Sequence, residues 1–238
     1  MHEDRYDNLV KLSRNRYPGR GIVVGLNDTG QYLVQAYWIM GRSENSRNRV
    51  FEKDDNTGRV FTVAADPAKI KDPSLIIYNA MLERKGCFAV SNGHQTDTIV
   101  DADKSFFAAM QAWKYEPDAP NHTPRISAVC HLKNRIVAEM AILRKSPWSD
   151  ACDRHLYSFE ELGKGLGFCI TTYSEDGDPL PAFRGEPYLL PLEGNIEVIT
   201  GTLWSALDSE NRVSLAVKFI NRTSGASAIR IVNKYAKI

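Results

Sequence analysis

The strongest constraint on the fold is a series of short apolar segments separated by turn-forming residues. Gly21–Gly25 is apolar, Asn27–Gly30 is a strong turn signal, and Gln31–Met40 is again rich in apolar and aromatic side chains. Two such segments joined by a short turn are typical of a β-hairpin. The pattern recurs at Arg49–Glu52 and Arg59–Ala64, on either side of a second turn. Because the strands pair mostly with their neighbours, the sequence predicts an antiparallel α+β protein and not an alternating β-α-β fold.

The middle of the chain continues the pattern. Cys87–Ser91 is a predicted strand, and Ile126–Cys130 with Arg135–Leu143 form a predicted antiparallel pair. Aromatic and apolar residues of Asp103–Lys114 recur at helical spacing, which predicts a helix there. Ser74–Arg84 is apolar without a clear period, so helix and strand both remain open for it.

The last third of the chain is less regular. Arg144–His155 is polar and contains a proline, which predicts a loop or excursion, and Gly167–Tyr173 resembles a strand. Residues 178–191 are rich in proline and are predicted to be irregular. Asn195–Leu207 is open between helix and strand, and Arg212–Asn221 is a predicted strand.

Composition limits the classes of function. The 238 residues are 43% hydrophobic and 25% charged, as in globular proteins, and the net charge of +1 argues against a protein that coats nucleic acid. The polar N-terminal segment predicts no signal peptide, and no apolar run approaches the roughly 18 residues of a membrane-spanning helix. The four cysteines are far apart and form no CxxC pair, so we expect free thiols in the cytoplasm rather than disulfides or a zinc site. They are Cys87, Cys130, Cys152 and Cys169.

An arginine-rich segment, Gly41–Arg49, follows the second predicted strand. It contains Arg42, Arg47, Asn48 and Arg49 in addition to serines and a second asparagine. The planar guanidinium group matches phosphate oxygens two at a time, and amide and hydroxyl groups add hydrogen bonds. A solvated surface loop is the alternative interpretation, and the segment alone does not decide between them.

Two further polar segments can supply a site. Ser91–Asp97 follows a predicted strand and is dense in hydrogen-bonding groups, although an Asn-Gly pair often forms only a turn. Further along, Glu116, Asp118, His122 and Arg125 lie within ten residues. Carboxylates beside an arginine can transfer protons when burial and charge tune their pKa values, while an ordinary ion pair in a loop is the alternative.

Other motifs are weak or missing. Gly163–Gly167 matches neither the Walker pattern nor GxGxxG, so we do not interpret it as a nucleotide loop. Glu186 lies in the rigid segment Gly177–Pro187 and is a candidate to point into a pocket. The chain has no GxSxG elbow and no HExxH motif, which disfavours serine and metal hydrolases.

Short motifs spread over residues 17–190 carry a family resemblance by their order. They are Tyr17–Arg20 with Ile22–Gly25, Ala36-Tyr37, Arg42-Ser43 with Asn48-Arg49, Tyr78-Asn79, Ser91–Gly93 with Thr96-Asp97, Tyr115-Glu116, Thr123–Ile126 and Pro179–Pro187. Together they resemble the archaeal-type IMP cyclohydrolase family. No single motif is specific, but the ordered combination is.

The resemblance implies a fold and a reaction. The fold is a four-layer αββα sandwich of the Ntn-hydrolase-like type, with two antiparallel sheets between helical layers. The reaction is the last step of purine biosynthesis, in which 5-formamidoimidazole-4-carboxamide ribonucleotide closes to inosine monophosphate with loss of water. The resemblance also implies that no metal or organic cofactor is used, and that the binding partner is a small purine-precursor ribonucleotide. The family tends to form oligomers, which keeps a homo-oligomer open for this chain.

The resemblance also implies roles for individual residues. Arginines of the Gly41–Arg49 segment would contact phosphate or a developing oxyanion, and Arg42 is included among the catalytic candidates. Tyr78 would donate a hydrogen bond or proton near the formyl group, and Glu116, with Asp118, would handle protons. The remaining candidates would line the nucleotide site. They are Arg47, Asn48, Arg49, Asn79, Asn92, Gly93, Asp97, Arg125 and Glu186.

The chain also departs from the family pattern. Residues 1–16 form an N-terminal extension, predicted to be a polar helix or arm, ahead of a single domain over residues 17–238. Residue 17 is tyrosine, so cleavage there would expose no nucleophilic Ser, Thr or Cys. A nucleotide-binding relative without turnover, and an enzyme acting on a different ribonucleotide carboxamide, remain as alternative functions.

Overall fold

The computed structural model describes residues 4–70, 73, 76–101 and 105–237. Two antiparallel sheets dominate this part of the chain. Sheet A has the order β11 (Tyr188–Pro191), β10 (Leu166–Thr171), β1 (Gly21–Leu26), β2 (Tyr32–Met40), β12 (Arg212–Asn221) and β13 (Ser227–Asn233). Sheet B has the order β3 (Val50–Asp54), β4 (Arg59–Val63), β5 (Asn79–Arg84), β6 (Cys87–Ser91), β7 (Arg125–His131), β8 (Ala138–Lys145) and β9 (Cys152–Phe159).

The described residues contain five α-helices and a short 3₁₀ turn at Pro67–Lys69. The α-helices are α1 (Asp4–Arg14), α2 (Glu44–Arg47), α3 (Gln95–Ile99), α4 (Phe106–Gln111) and α5 (Ile196–Ala206). Four of them cover the outer faces of the sheets. Helices α1 and α5 pack on sheet A, and α3 and α4 pack on sheet B. The predicted α+β sandwich of two antiparallel sheets is confirmed, and its layers run helix, sheet, sheet, helix.

Three apolar clusters separate these layers, because the strands carry apolar side chains on both faces. In β2, Tyr37 points into the cluster between the sheets, while Trp38 points into the cluster under α1 and α5. The third cluster holds Phe106 and Met110 of α4 against sheet B. Successive side chains of a strand alternate between faces, so one strand serves two apolar layers.

The first predicted hairpin is confirmed. Ile22 pairs with Tyr37 in an antiparallel register that runs from Gly21 to Leu26 of β1. The turn closes with a hydrogen bond of 3.0 Å from the Gly30 N–H to the Asn27 carbonyl.

Several predicted elements need correction. The polar segment predicted as a loop over Arg144–His155 includes the end of β8 and the beginning of β9. Strand β9 lies at the edge of sheet B, where half-exposed polar side chains hide the strand pattern. The undecided segment Ser74–Arg84 ends in strand β5, and residues 74 and 75 lie outside the described residues. The helix expected over Asp103–Lys114 is the shorter α4, and residues 103 and 104 are likewise not described.

Helix α1, in the segment predicted to be an N-terminal extension, packs on sheet A. Leu12 is 3% exposed within the cluster under sheet A, and Asn8 Nδ2 donates to the Leu189 carbonyl at 3.1 Å. Arg5 and Tyr6 both bind the Glu193 carboxylate. Within the described ranges, no helix combines the length and apolar character needed to cross a membrane.

Candidate active site

A pocket of about 380 Å³ opens where strands of both sheets begin or end. Its charged lining consists of Arg20, Arg42, Arg49, Glu116 and Asp118, which come from three separate parts of the chain. A larger groove of about 1040 Å³ lies among hairpin turns elsewhere. We place the site in the smaller pocket because buried charges converge there.

Glu116 and Arg20 form a buried ion pair in this pocket. Arg20 Nη2 lies 3.0 Å from Glu116 Oε2, and the two side chains are 12% and 3% exposed. Asn92 Nδ2 donates to Glu116 Oε1 at 3.3 Å. Burial raises the pKa of Glu116 above its ordinary value, and the positive charges of Arg20 and Arg125 offset only part of that shift. A buried carboxyl group with a raised pKa is a candidate for proton transfer.

Gly19 sets the position of Arg20. Its φ angle is +73°, and a Cβ atom at this residue would lie 2.2 Å from Thr172 Oγ1. Glycine alone tolerates that combination of backbone conformation and close approach. The Arg20 N–H then donates to the same Thr172 hydroxyl at 3.0 Å.

Arg49 is the most deeply buried cation of the pocket. Its residue is 1% exposed, and its Nε donates to the Ser46 carbonyl at 3.0 Å. Its Nη1 is buried and has no hydrogen-bond partner among the described residues. Leaving a buried charged donor unpaired is costly, so this atom marks a place for a ligand acceptor.

Arg42 lies at the mouth of the same pocket. Its side chain is 37% exposed, and its Nη1 binds Asp176 Oδ1 at 2.7 Å and the Gly177 carbonyl at 2.8 Å. The guanidinium group also lies over the Tyr17 ring, 5.0 Å from its centre. The pocket thus has one exposed and one buried arginine, at different depths.

Two tyrosines meet beside the buried charges. The hydroxyls of Tyr37 and Tyr78 are 2.6 Å apart, and both residues are buried. Burial raises the pKa values of Tyr78 and Tyr37, and the Tyr37 pKa is raised more. The positive charges of Arg20 and Arg49 lower both pKa values, but they offset only part of this effect. Both phenols therefore stay protonated at neutral pH and can donate hydrogen bonds.

A second layer of polar groups holds the pocket wall. Asn92 Oδ1 accepts from the Ile126 N–H and from Gln95 Nε2, each at 2.9 Å. Arg125 Nη1 donates to Gln95 Oε1 at 3.1 Å. A Cβ atom at Gly93 would lie 2.4 Å from Arg125 Nη1, so the missing side chain leaves space for this guanidinium group.

Comparison with known proteins gives a family for this geometry. The model of the family described as IMP cyclohydrolase-like protein matches residues 17–225. The chain belongs to this family. No curated protein matches the chain. The matched range contains every charged residue of the pocket, and it leaves α1 and β13 outside.

Some residues predicted for the site bind elsewhere in this cyclohydrolase-like chain. Arg47 donates to the Gly41 carbonyl and to Asn211, and Asn48 exchanges hydrogen bonds with the Asp66 backbone. These hydrogen bonds hold the segment Gly41–Arg49 in its conformation.

Several other predicted residues are also outside the pocket lining, which does not include Tyr78, Asn79, Asn92, Gly93, Asp97, Arg125 or Glu186. Asn79 Nδ2 donates to Asp97 Oδ1 at 2.7 Å, which makes these two residues partners of each other. Glu186 lines a separate hollow of about 320 Å³ beside α1. By contrast, Asp118 lines the pocket, where it accepts from the backbone and hydroxyl of Thr123.

Four residues that shape the site have no role among the sequence-based predictions. Arg20, Tyr37 and Thr123 lie within the motifs of the family resemblance, and those motifs are the sequence signal that could have identified them. Tyr173, whose hydroxyl contacts that of Thr123, has no comparable signal. Among the described residues, no group of three or more His, Cys, Asp or Glu side chains is arranged to hold a metal ion.

Proposed function

We propose that this chain is an IMP cyclohydrolase, which closes 5-formamidoimidazole-4-carboxamide ribonucleotide to inosine monophosphate with loss of water. One observation carries the proposal. The unpartnered, buried Nη1 of Arg49 belongs to the same pocket as the Arg20–Glu116 pair, in a chain of the IMP cyclohydrolase-like family. A buried cationic donor and a carboxyl group with a raised pKa are the two groups that this ring closure needs.

Arg42 and Arg49 lie at different depths in the pocket, and this difference gives the orientation of the bound substrate. Arg42 is exposed enough to bind the phosphate at the mouth of the pocket, where its guanidinium fork suits phosphate oxygens. The imidazole ring with its two amide groups then extends inward. Its formyl oxygen meets Arg49, the most deeply buried cation.

Ring closure is intramolecular, so holding the reactive rotamer removes much of the barrier. The carboxamide nitrogen attacks the formyl carbon, and Glu116 accepts the proton that this nitrogen loses. The formyl oxygen becomes negative and accepts hydrogen bonds from Arg49 Nη1 and Tyr78. With Tyr37 as donor in the tyrosine pair, the Tyr78 hydrogen is left for this oxygen.

The second step expels water. Glu116 returns its proton to the oxygen, which gives a hydroxyl group on the new ring. The carbon–oxygen bond then breaks as a carbon–nitrogen double bond forms, and a proton lost from the neighbouring nitrogen completes the water molecule. Glu116 ends the cycle ionised, beside Arg20.

The test is an assay of the purified full chain with the formylated ribonucleotide. We expect inosine monophosphate, measured by ultraviolet absorbance and mass spectrometry. Folded protein that gives no product would contradict the proposal. Turnover of a different ribonucleotide carboxamide in a parallel panel would redirect it to another substrate.

The variant Arg49→Lys tests the role of Arg49 in the same assay. Lysine keeps the charge but not the fork, and loss of a preorganised oxyanion donor lowers kcat by about 10²–10³-fold. The matched control is Arg59→Lys on strand β4, since Arg59 is exposed and stacks on Phe61. Equal activity of the two variants would remove Arg49 from the mechanism.

A further inference from the structure

The N-terminal helix ends against a wall of the pocket. Asn15 directly follows α1, and its Nδ2 donates to the Ser174 carbonyl at 2.8 Å. Its Oδ1 accepts from the Tyr17 N–H at 3.1 Å. One side chain outside the family match therefore joins two segments that lie inside it.

Those two segments form an aromatic part of the pocket lining. The Tyr17 and Tyr173 rings are stacked, with centres 6.0 Å apart and planes 22° apart. The backbone supports the stack, because the Tyr173 N–H donates to the Pro18 carbonyl at 3.1 Å. Both rings line the pocket, and Arg42 lies over the outer face of Tyr17.

The same wall leads to the proton-handling carboxyl group. The hydroxyl of Tyr173 contacts that of Thr123, whose carbonyl accepts from the Glu116 N–H at 2.8 Å. A displacement of Ser174 thus reaches the backbone of Glu116 through consecutive contacts. Helix α1 is anchored by Leu12 in the apolar cluster and by the contacts with Glu193. This anchored helix fixes the position of Asn15.

We propose that Asn15 is a positioning residue for the site, and that the N-terminal helix is a working part of the pocket wall rather than an independent appendage. The kinetic part of the inference rests on the proposed function. Asn15 holds the 173–174 segment against Tyr17, and this contact keeps Arg42 and the aromatic wall in place for substrate binding.

Two substitutions test this in the full chain. Asn15→Ala removes both side-chain bonds, whereas Asn15→Asp keeps an acceptor for the Tyr17 N–H and cannot donate to Ser174. Ser13→Ala is the matched control, because Ser13 is exposed and its hydroxyl donates to the Val10 carbonyl within the helix. The measurements are amide hydrogen exchange on the free protein and steady-state kinetics.

We expect both Asn15 variants to speed exchange at residues 172–175 and 121–123 by about threefold to tenfold, the effect of losing one hydrogen bond. Exchange in β7 should stay unchanged, which shows that the fold persists. We also expect KM to rise by about the same factor with little change in kcat, because the contact positions a wall and touches no reacting atom. The control should match the wild type in both measurements.

Unchanged exchange in the Asn15 variants would overturn the proposal. Faster exchange with an unchanged KM would also overturn it, since the helix would then stabilise the wall without affecting the site. Exchange needs no substrate, so it separates this inference from the proposed function. If the wild type turns over no substrate, exchange at residues 121–123 decides the positioning role alone.

Discussion

Two of the ion pairs, Lys218–Glu83 and Arg20–Glu116, each contain a largely buried cation, and they differ in how completely their polar atoms are bonded. Lys218 is fully buried, and its Nζ donates to Glu83 and to the Gly58 carbonyl. Glu83 also accepts from the Ser227 hydroxyl. In the second pair, between Arg20 and Glu116, Arg20 Nε is buried without a partner among the described residues.

We interpret this difference as one between a structural pair and a pair that serves the proposed site. Buried polar groups in stable proteins are normally bonded, so the Lys218–Glu83 pair needs nothing further. The Arg20–Glu116 pair lies in a pocket beside Arg49, which has its own unpartnered atom. A ligand in the pocket can accept hydrogen bonds from donor atoms that have no partner in the protein. The burial of a charge does not by itself distinguish the two ion pairs.

The largest effect on activity is expected from Glu116→Gln. Removal of the proposed proton acceptor should lower kcat/KM by about 10²–10⁴-fold, as expected for a general base. Glu139→Gln is the control, because Glu139 is a partly buried carboxylate that pairs with His131 away from the pocket. Steady-state kinetics should show near wild-type activity for the control. Comparable losses in both variants would end the distinction between the two kinds of carboxylate.

The reverse result is expected at the structural pair. Glu83→Ala leaves the Lys218 charge buried without its partner, which should lower the free energy of unfolding by about 3–5 kcal/mol. Urea denaturation measures this loss, and kcat/KM at a temperature where the variant is folded should change little. A variant with wild-type stability would show that the pair is not structural.

The pH dependence of activity should report the titration of Glu116. In the proposed mechanism Glu116 must be ionised to accept a proton, and burial raises its pKa above the ordinary glutamate value. The value of kcat/KM should therefore fall as pH decreases through this raised pKa, at a higher pH than an exposed glutamate would give. A pH profile of the wild type measures this. An acid limb that survives unchanged in Glu116→Gln would assign the titration to another group.

The smallest effect is expected from Tyr37→Phe. The substitution removes a hydroxyl 2.6 Å from that of Tyr78 without removing Tyr78 itself. We expect kcat to fall by about threefold to tenfold, the cost of one hydrogen bond that orients a donor. Tyr78→Phe in the same assay should fall further, and the opposite order would make Tyr37 the donor to substrate.

Local sequence patterns predicted the sheets well, because each hairpin contains its own turn signal. Asn27–Gly30 is one example, and its hairpin is confirmed. Edge strands were harder, since β9 and β13 carry polar residues that face solvent. Their pairing depends on neighbours that the local pattern does not contain.

The site was only partly predictable. The family motifs contain Glu116 and Arg49, and both line the pocket. Spacing could not show that Arg20 meets Glu116 across 96 residues, because the contact exists only after both sheets have formed. Nor could it show that Arg47, two residues from Arg49, turns away to bind Gly41 and Asn211.

Strand β13 has a consequence for any shortened form of this protein. It pairs with β12 over seven consecutive residues, from Ser227 to Asn233, and it lies beyond the end of the family match. A chain cut at residue 225 would leave the apolar strand β12 as a bare sheet edge. Such an edge is a template for intermolecular pairing, so we expect the shortened protein to aggregate although its pocket residues are all present.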